Sequence, residues 1–168
     1  FPCFGIDNFS SLDPENKNLS LVQDLLSKYA EKNAMLINLD FEAALNSLPE
    51  YIGDKKIGIY FVDGPHDYRS QLVGLILAIP HLHRRAIILI DDANYHFVRQ
   101  ATNDFLDAFP DFKLIFEAYS PDHPANLDGP TLKKFEASWL NGINILVRDP
   151  SNLLPDMRVP LEPNYSLF

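Results

Sequence analysis

Five acidic side chains stand directly after apolar stretches of this chain. Asp7 follows Phe4-Gly5-Ile6, Asp40 follows residues 34–39, Asp63 follows residues 57–62, and Asp91 with Asp92 follows residues 86–90. Aspartate is a good turn former and helix cap, which accounts for any one of these. Recurrence at four strand ends asks for more, because carboxylates gathered in one crevice repel unless a cation, a protonated partner or ligand hydroxyls stabilise them. Asp63, Asp91 and Asp92 follow what should be neighbouring strands. Three carboxylates are hard oxygen donors, suited to Mg²⁺, Mn²⁺ or Ca²⁺ and poorly to zinc, with His66 and Asn94 as supplementary ligands. The plainer alternative makes Asp92 a helix cap and lets Asp91 simply end its strand. Asp7 and Asp40 suit a different task, since a carboxylate after a strand of a dinucleotide-type fold accepts hydrogen bonds from ribose hydroxyls. Phe41 is placed either against an adenine ring or, as first-turn aromatics more often are, in the core.

Among the histidines, His66 opens a helix from the turn Asp63-Gly64-Pro65-His66-Asp67-Tyr68. Histidine is the side chain best suited to act as a general base near neutral pH, although turn histidines are common on surfaces. His96, close after the aspartate pair, is the second candidate. His81 and His83 flank Leu82 at the opposite sheet edge and read as solvated, while His123 lies in a Pro-rich loop that reads as a substrate lid or an irregular surface loop.

The elements that must position these residues alternate. Residues 4–6 end a strand. Leu21, Val22, Leu25, Leu26 and Tyr29 recur at helical spacing within an expected helix 19–32. Residues 34–39 form a strand, and Phe41 to Leu48 a short helix ending at Pro49. Residues 57–62 are a strand, Tyr68 to Ile79 a helix stopped by Pro80, and 86–90 a strand. Phe97 to Leu106 is a helix before Pro110, and 112–118 a fifth strand. Residues 120–137 carry three prolines and little periodicity, and strand character resumes over 139–147. Continuously apolar strands alternating with helices imply an α/β doubly wound fold, mostly parallel and covered on both faces, with one antiparallel strand at the edge. The expected organisation is one domain over 1–148 with a Pro-rich tail over 149–168.

Composition narrows the function classes. The chain has 168 residues, 46% of them hydrophobic, and a formal charge of −9. That charge repels a phosphate backbone, so a small molecule is the expected partner and nucleic acid is not. Cys3 is the single cysteine, which excludes an internal disulfide and a zinc ribbon and fits reducing cytoplasm. The longest apolar runs are too short for a membrane span, and no leader is evident. A homodimer is the default assembly.

Taken together, Asp63-Gly64-Pro65-His66-Asp67-Tyr68 followed by Ile87-Ile88-Leu89-Ile90-Asp91-Asp92 resembles class I S-adenosylmethionine-dependent methyltransferases, and more narrowly the metal-dependent small-molecule O-methyltransferases acting on sugars, macrolides and catechol-like hydroxyls. Phe4 to Phe9 resembles their second strand, Leu39 to Leu45 the segment beside the adenine, and Trp139 to Val147 their last, antiparallel strand. The resemblance implies a Rossmann-like fold lacking its first strand and Gly-rich loop. It implies S-adenosylmethionine as cofactor, with Asp7 on the ribose, Asp40 and Phe41 at the adenine, and Asp63 and His66 completing the cofactor site. It further implies Asp63, Asp91 and Asp92 around Mg²⁺ or another hard divalent cation. Metal-dependent members place a catalytic aspartate two residues after the first ligand; Pro65 stands there here, and His66 is the nearest substitute. Two other classes stay open: a non-catalytic remnant used in association, and a Mg²⁺-dependent phosphoryl-transfer or hydrolase domain, which lacks a phosphate loop in this sequence.

Overall fold

The computed structural model describes residues 2–10, 13, 15, 17–30, 33–120 and 124–160; His123 and the last eight residues of the tail lie outside them. The chain forms two compact units, 1–53 and 54–168.

In the first unit, strand β1 (Cys3–Ile6) pairs in parallel with β2 (Ala34–Ile37), Ile6 opposite Ile37. Helix α1 (Lys17–Tyr29) connects them, as a parallel pair requires. The apolar stripe read from the sequence is present, yet no α1 residue is buried, and Tyr29 is 76% exposed. A two-stranded sheet is too narrow to cover a helix of this length. The core of the unit comes instead from Ile37, Ala44, Leu45, Leu48 and Ile52. The last four lie on or beside two short helices, α2 (Phe41–Asn46) and α3 (Pro49–Ile52). Pro49 was expected to end a helix. It starts one, because proline lacks only an N–H that the first helical turn leaves unpaired anyway.

In the second unit, β3 (Ile57–Val62), β4 (Leu82–Asp91), β5 (Phe112–Ala118) and β6 (Ile143–Arg148) form a sheet in the order β3-β4-β6-β5. β3 and β4 are parallel and β6 is antiparallel to both β4 and β5. The expected antiparallel strand is therefore β6, one position in from the edge. β4 begins four residues earlier than its apolar run, with His83, Arg84 and Arg85 exposed where its register with β3 shifts. His83 thus sits in a strand, and His81 in a 3-10 turn before it. Ile59 and Phe61 of β3 are 67% and 53% exposed, so the sheet is not covered on both faces at this strand.

Helices α4 (Tyr68–Ala78) and α5 (His96–Ala108) pack against each other. The Tyr68 hydroxyl donates to Asp104 Oδ2 at 2.7 Å, and Tyr60 of β3, whose burial pushes its hydroxyl up to about 12, donates to the Gly74 carbonyl at 3.3 Å. Residues 120–137, expected to be irregular, contain helix α6 (Gly129–Glu136). Its sequence opens with Gly-Pro, a turn signal, and its eight residues are too few for a repeating apolar stripe to stand out; Asp128 caps it by accepting from the Thr131 N–H. The tail is anchored at Val159, which is buried and whose carbonyl accepts from Asn103 while its N–H donates to it; residues 151–158 are exposed.

α4 starts next to His66 and is fixed by its cap. The Asp67 carboxylate accepts from the Ser70 N–H at 2.9 Å, and the Ser70 hydrogen bonds hold its pKa below the usual aspartate value. Asp67→Ala is expected to destabilise the protein by about 1 kcal/mol in urea unfolding at neutral pH. A depressed folded-state pKa stabilises above the unfolded value and is lost on acidification, so the deficit should shrink as pH falls through that range.

Candidate functional site

The turn after β3 carries His66 between two anchors. On one side is the Asp67 cap; on the other, the buried Gln71 donates from Nε2 to the Pro65 carbonyl at 2.8 Å. The imidazole reaches across to the next strand end, where its Nε2 lies 2.6 Å from Asp92 Oδ2. Tyr95 stacks on its face, ring centroids 4.4 Å apart and planes 22° from parallel. A carboxylate can only accept, so it fixes the proton on Nε2 and leaves Nδ1 as the basic nitrogen of the neutral ring. With 39% of its side chain exposed, His66 is open to a ligand.

Asp92 is no helix cap. Its φ of +54° puts it in the left-handed region, and Tyr95 occupies the cap position of α5. Its N–H donates to Asp91 Oδ1 at 2.9 Å, its carbonyl accepts from the Tyr95 N–H at 3.0 Å, and its Oδ1 accepts from the Asn141 amide. Both carboxylate oxygens are therefore engaged, one by Asn141 and one by His66.

Asp91 and Asp63 complete the acidic group. Burial pushes the Asp91 carboxyl above the usual aspartate range, and the charges of Asp92 and Asp63 push it further. The structure thus brings together Asp63, His66, Asp91 and Asp92 as the sequence suggested. It does not shape them into a metal centre. Among the described residues no three His, Cys, Asp or Glu side chains are arranged to hold an ion. The physical reason is that the Asp92 oxygens and Asp91 Oδ1 are directed at protein donors. The Mg²⁺ expectation for Asp63, Asp91 and Asp92 is accordingly not met by this geometry, and Asn94 is no supplementary ligand. Its fully buried amide donates to the Ser120 hydroxyl and accepts the Ser120 N–H at 3.3 Å.

In the first unit, Asp7 and Asp40 are exposed beyond the carboxyl ends of the paired strands β1 and β2. Asp7 Oδ1 accepts from the Phe9 N–H at 2.7 Å, and Asp40 Oδ1 accepts from the Glu42 N–H at 3.0 Å, capping α2. One oxygen of each is thus oriented by backbone while the carboxylate remains accessible. Phe41 is half-buried in the first turn of α2. Accessible carboxylates beyond the ends of adjacent parallel strands are acceptors of the kind that ribose hydroxyls can use.

His96, the second candidate base, lies elsewhere. It borders a cleft of about 440 Å³ between α5 and the tail, with Gln100, Asn103, Asp104, Asp107, Arg158 and Val159. Sequence reasoning missed Gln71, Tyr95 and Asn141. Gln71 carried a signal, a polar residue on the buried side of a helix; Tyr95 and Asn141 carried none.

Residues 2–93 match the family model described as a methyltransferase domain, and the chain belongs to that family. The match includes Asp7, Asp40, Asp63, His66, Asp91 and Asp92. Solved structures share the fold. One is the apo form of the TDP-rhamnose 3'-O-methyltransferase of calicheamicin biosynthesis (15% identity, 68% of this chain and 53% of that one, TM-score 0.53). Another is a Corynebacterium glutamicum protein (11%, 91% and 63%, 0.57). A third is a Staphylococcus aureus protein designated a caffeoyl-CoA O-methyltransferase (14%, 88% and 65%, 0.55). The chain spans between about half and two thirds of the length of these structures. No curated protein matches it. Among the described residues no helix is long and apolar enough to cross a membrane.

The raised pKa of Asp91 makes a stability prediction. A carboxyl whose folded-state pKa is raised costs stability wherever it is ionised, and the cost disappears below the unfolded value of about 3.8. Asp91→Asn keeps the Oδ1 acceptor for the Asp92 N–H. It should raise the thermal midpoint at pH 7 and show no such gain near pH 3, as followed by circular dichroism.

Proposed function

We propose that the protein is an S-adenosylmethionine-dependent O-methyltransferase acting on a small hydroxylated molecule, with His66 as general base. The observation that carries the reading is the His66–Asp92 pair, 2.6 Å between Nε2 and Oδ2, on residues inside the methyltransferase match. When bound, S-adenosylmethionine supplies an electrophilic methyl carbon on sulfur. Asp7 and Asp40 would hold the ribose, and Phe41 would lie at the adenine. The chain's own contribution to the reaction is proton acceptance. Nδ1 of His66 takes the proton of the acceptor hydroxyl as its oxygen bonds the methyl carbon and the carbon–sulfur bond breaks. Asp92 stabilises the imidazolium that results and keeps the ring from rotating. No step passes through a metal ion.

An oxygen acceptor is further supported by the descriptions of two structural neighbours, and a small one by the charge of −9, which disfavours nucleic acid. Cytoplasmic residence and assembly as a homodimer belong to the same reading.

The test is transfer of labelled methyl from S-adenosylmethionine by the full-length protein to a panel of sugar, macrolide and catechol acceptors. Turnover is expected with at least one, and His66→Ala should lower kcat by about 100-fold or more while the fold is kept. An active protein indifferent to His66→Ala would remove the base assignment; no transfer to any acceptor would remove the enzyme reading.

A further inference from the structure

Asn141 lies outside the family match, 49 residues beyond Asp92 in sequence, in the turn between α6 and β6. It is buried, and its Oδ1 has no hydrogen-bond partner although no solvent reaches it. An apolar residue there would avoid that orphaned oxygen. What the amide does provide is a donor, Nδ2, directed at Asp92 Oδ1; the carboxylate accepts only, so this orientation of the amide follows from chemistry. The same turn also holds the backbone of the two residues that follow Asp92. The Gly142 carbonyl accepts from the Ala93 N–H at 3.3 Å, and the Asn141 carbonyl accepts from the Asn94 N–H at 2.9 Å. Gly142 is required for the approach, since a Cβ at its φ of +84° would sit 2.6 Å from Asn94 Oδ1 and 2.9 Å from Asn94 N. Two left-handed residues, Asp92 at +54° and Asn141 at +63°, thus face each other across interlocked turns.

We propose that Asn141 is a positioning residue for the His66–Asp92 pair. It holds one carboxylate oxygen so that the other fixes the imidazole. Its consequence for turnover rests on the methyltransferase reading; its effect on the imidazole does not.

The experiment is ¹⁵N NMR of His66 in the full-length protein, at a pH alkaline enough to keep histidine side chains neutral, with two variants. Asn141→Gly removes the amide and adopts the positive φ freely, while Asn141→Asp keeps the volume and tolerates that φ but removes the donor. The wild-type protein should show one protonated and one unprotonated ring nitrogen, with Nε2 carrying the proton. Both variants should show averaged nitrogens and, where turnover is measurable, kcat reduced about 10-fold at unchanged KM. A folded variant that keeps the single-tautomer signature overturns the proposal. If neither variant folds, the wild type decides: Asn141 Nδ2 protons that exchange with solvent as fast as exposed amides, or a His66 averaging both tautomers, overturn the proposal, and a protected Nδ2 proton beside a fixed Nε2–H tautomer supports it. Loss of the signature in a protein that transfers no methyl would sink the functional reading and leave the positioning role standing.

Discussion

The Asp92 carboxylate is the constraint on which the site depends. A non-glycine residue at positive φ costs on the order of 1 kcal/mol, and it persists where surrounding contacts over-determine it. Here they do. The backbone of Asp92 is tied to Asp91 and Tyr95, and its side chain to Asn141 and His66. The result is a carboxylate facing the turn after β3 rather than a common point shared with Asp63 and Asp91. Acidic residues at strand ends can be read as ligands for a cation. In this structure the charge of one is matched by a histidine and an amide instead, while burial, with the charges of Asp92 and Asp63 beside it, raises the pKa of Asp91.

Topology makes that arrangement reachable. Because β6 inserts between β4 and β5, the turn that enters β6 arrives beside the turn that leaves β4, and Asp91 opposes Ile143 in the ladder. The Asn141–Gly142 turn then meets residues 92–94 within hydrogen-bonding distance. On the other flank β3 runs parallel to β4, so the turn after β3 opens at the same sheet end as Asp91. Capping by Asp67 and the Gln71 bond to Pro65 stiffen that turn, and His66 is carried into place.

Much of this was legible from the residues. β3 and β5 have the bounds their apolar runs gave, and within each unit the strand-end aspartates do stand beyond the carboxyl ends of its parallel strands, because burial of a parallel strand demands a continuous apolar run and its exit demands a turn former. A short helix that opens with a turn signal, such as α6 with its Gly-Pro, leaves too little pattern to read, and Pro49 carries opposite meanings at the end and the start of a helix. The partners of Asp92 were illegible for another reason. A hydrogen bond across 49 residues has no local signature, and a carboxylate looks the same in sequence whether it will ligate a cation or accept from an amide. Exposure of α1 was equally hidden, since amphipathic spacing states what a helix could bury and not whether a surface wide enough is present.

The central claim is that His66 and Asp92 act as one unit. A double-mutant cycle on methyl transfer, combining His66→Gln with Asp92→Asn, tests it most directly. Strong non-additivity is expected: once His66 is replaced, the loss caused by Asp92→Asn should largely vanish. Losses that multiply independently, in variants that keep the wild-type fold, would contradict it.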